Sequence, residues 1–212
     1  DVAHELKIPL ATLTGEIELA LTKKRKSDEY RRVLTEALVD ARRLGDTLTN
    51  ILDLAWSQTD AKLERVDLSE VVNDLNEVAK KLALAKRITV KNNIKAGIFV
   101  LGKKDKLSRA VLNLIDNAIK YTSEKGRVEI GLRKERGFAV VKIADNGTGI
   151  GRADLPHIFE RFYRGKKTET TGSGLGLPIA QAIALAHRGK LKVVSSKGGG
   201  TTAIIFLPLI KS

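Results

Sequence analysis

A chain of 212 residues, 42% hydrophobic and 30% charged, can build one or two packed cores, which excludes an intrinsically disordered protein. It has no cysteine, which excludes disulfides, thiolate metal sites and a cysteine nucleophile; no apolar run approaches the roughly 20 residues of a membrane-spanning helix. The formal charge of +13 is uneven: residues 1–60 carry nine basic and eleven acidic side chains, leaving +15 for the other 152, so the second part is expected to handle an anion such as a nucleotide.

The first region is helical. Leu6, Leu10, Leu13, Ile17 and Ala20 repeat at steps of four and three, an a/d seam. After "TKKRKSD", with Ser27 or Asp28 as possible cap, the seam resumes at Leu34, Ala37, Ala41, Leu44, Leu48, Ile51 and Ala55. Two such helices form a hairpin that leaves half of each seam wet. Pairing two hairpins about a two-fold axis buries both halves, so the sequence predicts a homodimer built on a four-helix bundle. Pro9 removes the N–H partner of the Glu5 carbonyl and predicts a bend beside His4. His4 lies so near the start that the chain reads as part of something longer.

"SQTDAKLERVD" reads as a polar connector, dividing the chain into 1–60 and 61–212. Beyond it, "LSEVVNDLNEVAKKLAL" is an amphipathic helix capped by Ser69 or Asp67, and "RITVKNN" and "GIFVLG" are short strands. A helix, "KDKLSRAVLNLIDNAIKYT", precedes a hairpin, "GRVEIGLRKERGFAVVKIADN". A Gly- and Lys-rich stretch, the helix "GLGLPIAQAIALAHRG" and the strands "KLKVVSS" and "TTAIIFLP" complete the chain. Helices and strands mix without regular βαβ repetition, which predicts an α/β sandwich on a largely antiparallel sheet.

Three clusters in this region carry chemistry. Asn113 and Asn117 stand at i, i+4 on one helix face with Lys120 nearly a turn on, a set that suits a metal-bound triphosphate. Asp145 ends a strand and can accept a hydrogen bond from an exocyclic amine, while Gly147 and Gly149 let backbone approach a flat ring. "GSGLGL" opens a helix whose free N–H groups can hold phosphate. Each is weak alone, and their order and spacing together are specific.

Over nearly its whole length the chain resembles the catalytic core of a bacterial two-component sensor histidine kinase. "AHELKIPL" resembles the H box, "NLIDNAIKYT" the N box, "DNGTGI" the G1 box, "IFERFYR" the F box and "GSGLGL" the G2 box. The resemblance implies a dimeric phosphotransfer hairpin followed by an ATP-binding domain of the Bergerat fold. It implies His4 as phospho-acceptor and Glu5 as the base for its second ring proton. Asn117 would ligate Mg²⁺ beside Asn113, Lys120 would lie near phosphate, Tyr121 would line the pocket, and Asp145 would read the adenine amino group. Gly147, Gly149, Ile150 and Leu175 would line the nucleotide, Arg164 would reach its phosphates, and Gly172, Gly174 and Gly176 would close the far side. Phe159 and Phe162 would anchor a lid spanning Ile150 to Ser173.

The implied reaction is autophosphorylation from ATP–Mg²⁺, then transfer to an aspartate of a response-regulator receiver domain. Neutral imidazole is nucleophilic near pH 7 because its ordinary pKa is about 6.5, and phosphoryl transfer needs mainly position and charge neutralisation. The family places the core in the cytoplasm, with the membrane reached only through a preceding sensor part. Two positions depart from the pattern. Ile8 stands where threonine or asparagine is usual and cannot hydrogen-bond the water that dephosphorylates the regulator, so phosphatase activity is expected to be weak. "HRG" replaces a common "HGG", and His187 is expected only to cap a helix.

Three rival readings remain open on sequence grounds. A hydrolytic relative of the gyrase type would carry a glutamate where Asn113 stands, and asparagine is no base. A protein–serine kinase of the related group would lack the hairpin bearing His4. A non-enzymatic regulator-binding module would need no intact boxes. Nucleic-acid binding is not expected, because no aromatic stacking strip accompanies the basic charge.

Overall fold

A computed structural model describes residues 2–22, 24, 26–56, 62–165 and 173–210. They fall into two compact units, Asp1–Ala55 and Trp56–Ser212.

The first unit is α1 (Val2–Leu21) and α2 (Ser27–Trp56). The assigned helix α1 is continuous through Pro9; the side chains of His4, Glu5, Ile8 and Pro9 lie outside the described residues. The heptad seam divides into two sets. Ala20 and Ala37 are buried, with Leu13, Leu44 and Ile51 half-buried. The alternate seam positions Leu10, Ile17, Leu34 and Leu48 stay exposed, at 55%, 38%, 64% and 50%. A single chain therefore covers one half of its seam.

In the second unit a five-stranded sheet runs in the order β2-β4-β5-β7-β6, formed by β2 (Thr89–Ile94), β4 (Arg127–Glu135), β5 (Phe138–Asp145), β6 (Lys190–Ser195) and β7 (Thr201–Pro208). The β2–β4 pairing is parallel and the others are antiparallel, so the sheet is mixed and mostly antiparallel as expected. Alternate residues face the core: Val128, Ile130 and Leu132, then Ala139, Val141 and Ile143, then Ala203, Ile205 and Leu207, all buried. Against them lie α3 (Leu68–Ala83), α4 (Lys104–Tyr121) and α5 (Gly176–Ala186), with α4 touching both other helices. Ile115, Ile179 and Ile183 are fully buried, each worth about 1.5–3 kcal/mol of transfer free energy. β4 and β5 join through a two-residue turn, Arg136–Gly137, with φ of 49° and 83°, the type I′ geometry whose twist matches the strands.

One expectation is corrected. Glu64–Asp67, within the supposed connector, is a strand, β1, paired antiparallel with β3 (Phe99–Gly102). It is short and buries only Val66, so it leaves almost no apolar signature. Asp67 then caps α3, its carboxylate accepting from the N–H groups of Ser69 and Glu70 at 2.9 and 3.2 Å. Ser69 is instead buried, its hydroxyl accepting from the Ile98 N–H at 3.0 Å.

His187 caps α5 and does more. Its ring is buried, with Nδ1 2.7 Å from the Ile183 carbonyl and Nε2 accepting from the Lys103 N–H at 3.0 Å. Those partners require the neutral Nδ1–H tautomer, which ties the end of α5 to the start of α4. Burial holds its pKa below the ordinary 6.5, opposed by the Ile183 carbonyl and Asp105. Stability is then fully present above pH 6.5 and falls as the pH drops toward the lowered folded value, because the unfolded chain takes up the proton first. Calorimetric unfolding from pH 7 to 5.5 should show this loss. His187→Gln should flatten it and cost about 1–2 kcal/mol at pH 7.

Candidate functional site

The site is assembled at one end of α4, where that helix meets the loop after β5 and the start of α5. Asn113, Asn117, Lys120 and Tyr121 are half-buried on the C-terminal half of α4. Gly176, the first residue of α5, lies against this face: a Cβ there would sit 3.4 Å from Asn117 Nδ2 and 3.9 Å from Asn113 Cβ. The Asn113 Nδ2 is buried without a hydrogen-bond partner among the described residues, a donor that a bound anion can satisfy. Leu175, the N-cap of α5, makes no side-chain cap hydrogen bond, so among the described residues its place leaves the first-turn N–H groups and the dipole open to an anion. Leu175 is fully buried.

Asp145 ends β5 with one carboxylate oxygen committed. Its Oδ1 accepts from the N–H of Gly147 at 2.9 Å and of Thr201 at 3.1 Å, which leaves Oδ2 to accept from a ligand. Burial pushes its pKa above the ordinary carboxylate value, and the two N–H groups pull against that. The loop that follows is pinned to α4 by the Thr148 N–H on the Tyr121 carbonyl, 3.1 Å. Gly149 has φ +65°, and a Cβ there would collide with the Ser196 carbonyl. Ile150 donates its N–H to Ser195 Oγ at 2.8 Å, and that hydroxyl lies 2.7 Å from the Gly200 carbonyl.

The segment after this loop is a chain of turns around a short 3₁₀ turn at Leu155–His157. Tyr163 Oη donates to Asp154 Oδ1 at 2.7 Å, and His157 Nδ1 lies 2.7 Å from Glu160 Oε1. Phe159 and Phe162 are half-buried. Phe162 takes φ +64°, a left-handed conformation that costs a bulky residue about 1–3 kcal/mol. Gly174, at φ +70°, makes room for it: a Cβ there would lie 2.7 Å from the Phe162 carbonyl carbon. Arg164 is exposed at the end of this segment. Gly172 and most of the expected lid beyond Gly165 lie outside the described residues.

The structure thus brings Asn113 and Asn117 to Gly176, Asp145 to Gly147, and Gly174 to Phe162. It also shows residues that sequence reasoning passed over. Ser195, Ser196, Gly200 and Thr201 brace the Asp145 loop from behind, and the only signal was the run "SSKGGGTT" between two strands. Asp154 and Tyr163, joined by a hydrogen bond within the turns after the Asp145 loop, carried no signal of their own.

This fold and these motifs define the class of ATP-binding domains shared by histidine kinases, gyrase and chaperone ATPases. The family model described as "Histidine kinase-, DNA gyrase B-, and HSP90-like ATPase" matches residues 102–211. The model for the "His Kinase A (phospho-acceptor) domain" matches residues 1–60. The sensor histidine kinase RppB of Synechocystis is 37% identical over 217 residues, which is 99% of this chain and 48% of RppB. The sensor-like histidine kinase SenX3 of Mycobacterium tuberculosis is 33% identical over 216 residues, 99% of this chain and 53% of that protein. Among solved structures, the mycobacterial sensor histidine kinase MprB aligns at TM-score 0.61 and 34% identity, covering 71% of this chain and 99% of that one. Acinetobacter baumannii AdeS aligns at TM-score 0.77 over 98% of both chains, and at 20% identity it shows the fold alone. The chain spans about half the length of the curated relatives it matches. It belongs to the sensor histidine kinases, ATP-dependent protein-histidine kinases of two-component systems, and comprises their catalytic core.

Proposed function

We propose that this chain phosphorylates His4 with the γ-phosphoryl group of ATP and passes that group to an aspartate of a response-regulator receiver domain. The observation that carries the reading is the meeting of the Asn113–Asn117 face with Gly176 around a buried amide unpartnered among the described residues, at a helix start whose N-cap makes no side-chain hydrogen bond. In this reading Asp145 Oδ2 accepts from the adenine amino group while Gly147, Gly149 and Ile150 line the ring. Tyr121 and Leu175 complete the pocket, and Gly174, Gly176 and Gly172 close the phosphate side with Lys120 and Arg164. The Asn117 carboxamide oxygen, a hard ligand, fits Mg²⁺. That ion would neutralise phosphate charge as the β–γ bridge breaks.

A ring nitrogen of His4 attacks the γ-phosphorus, the bond to the bridging oxygen breaks, and ADP departs. Glu5 accepts the proton from the other ring nitrogen. Asn113 supports kinase over hydrolase, because a carboxamide cannot deprotonate water. The exposed half-seam at Leu10, Ile17, Leu34 and Leu48 supports a homodimer through residues 1–60, with 61–212 as the ATP-binding domain. Ile8 supports weak phosphatase activity, and a sensor segment outside this chain would carry any membrane attachment.

The reading is tested by incubation with γ-labelled ATP and Mg²⁺. The wild type should acquire acid-labile, base-stable label, and His4→Gln should reduce it at least about 1,000-fold by removing the only acceptor. Equal labelling of both proteins would overturn the assignment of His4.

A further inference from the structure

We infer that Lys86 is a positioning residue for the phosphate site, acting through α4 by neutralising that helix's negative pole. The inference rests on the nucleotide reading above. Lys86 closes the 3₁₀ turn that follows α3, far in sequence from the binding motifs. Its half-buried ammonium donates to the carbonyls of Ile119 at 3.1 Å, Lys120 at 2.7 Å and Thr122 at 3.2 Å. An ammonium has three donors, so all are committed to the end of α4 and none is left for a ligand.

A helix end leaves four carbonyls without intrahelical partners, and here each has one. Ala118 accepts from the N–H and hydroxyl of Thr122 at 3.1 and 2.6 Å, and Tyr121 accepts from the Thr148 N–H. Lys86 supplies the other two. A neutral donor would satisfy the same oxygens, so the charge needs a reason of its own. Asn117, Lys120 and Tyr121 occupy the last five residues of α4, where the helix dipole amounts to about half a negative charge. Anions are held at helix N-termini, as at the start of α5; α4 presents its ligand-facing side chains at the opposite pole. A triphosphate near Asn117 and Lys120 meets an unfavourable field unless a cation offsets it, and Lys86 is seated directly on those carbonyls.

A mere cap and a field-neutralising charge differ in what they do to ligands of different charge. Affinities of the full chain for ATP, ADP and adenosine, with Mg²⁺, are measured by displacement of a fluorescent ATP analogue for wild type, Lys86→Gln and Lys86→Arg. Lys86→Gln keeps two donors and drops the charge. It should weaken ATP about fivefold to tenfold, ADP less, and leave adenosine within about twofold, while Lys86→Arg preserves the ATP-to-adenosine ratio. An equal loss for adenosine and ATP, or no loss for ATP, overturns the inference. If Lys86→Gln does not fold, Lys86→Arg decides: a retained ratio supports the inference and a collapsed ratio overturns it. Failure of the wild type to bind ATP would instead overturn the nucleotide reading.

Discussion

Asp145→Asn is expected to lower ATP affinity by about 100-fold while leaving the thermal stability of the chain at pH 7 unchanged or raised. The carboxamide oxygen can keep the bonds that Asp145 Oδ1 accepts from Gly147 and Thr201. The amide nitrogen then takes the place of Oδ2 and turns an acceptor into a donor at the point proposed to meet the adenine amino group. Two donors repel and both lose a partner, which costs about 2–3 kcal/mol. The stability arm follows from the raised pKa of the native carboxyl. A carboxyl easier to protonate when folded opposes folding above its folded pKa, a cost relieved only as pH falls through that value. A neutral side chain removes that cost at pH 7. Calorimetric titration with ATP, paired with a thermal melt, checks both arms; a melt lowered in step with affinity would mean Asp145 is structural.

Gly149→Ala should abolish measurable nucleotide binding and destabilise the second unit by about 2 kcal/mol or more. The residue is left-handed at φ +65°, and a methyl group would be driven into the Ser196 carbonyl with Gly200 close behind at 3.2 Å. The backbone behind it cannot retreat, because Ser195 and Thr201 are tied to Ile150 and Asp145. The loop must therefore move toward the proposed nucleotide site. A denaturant melt and an ATP titration of the variant check this, and near wild-type binding would show that the loop has room the structure does not display.

These predictions use parts of the molecule that differ in legibility. The helices declared themselves through periodicity, because α3 and α4 each bury one face against the sheet and expose the other. The hairpin of β4 and β5 was legible through alternation and a Gly-bearing turn. β1 was not, because an edge strand of four residues burying only Val66 has no pattern to show. Asp67 and Ser69 were equal candidates for the cap of α3; Ile98, whose N–H claims the Ser69 hydroxyl, decided between them.

By itself the sequence determined the order of the boxes, the asparagine pair and the glycine-bearing loops, because these are local: a helix face, a strand end or a helix start is set by residues within a few positions. The heptad steps likewise determined that the first unit has more apolar seam than one chain can cover. Only the tertiary structure decided what stands behind those motifs. It brought Thr201 to Asp145 across 56 positions and Lys86 to the end of α4 across 34, and set His187 on Lys103 across 84. Such partners are chosen by the packing of the sheet and its helices. No spacing in the chain encodes them, since a hydrogen bond between distant segments leaves no periodicity at either end.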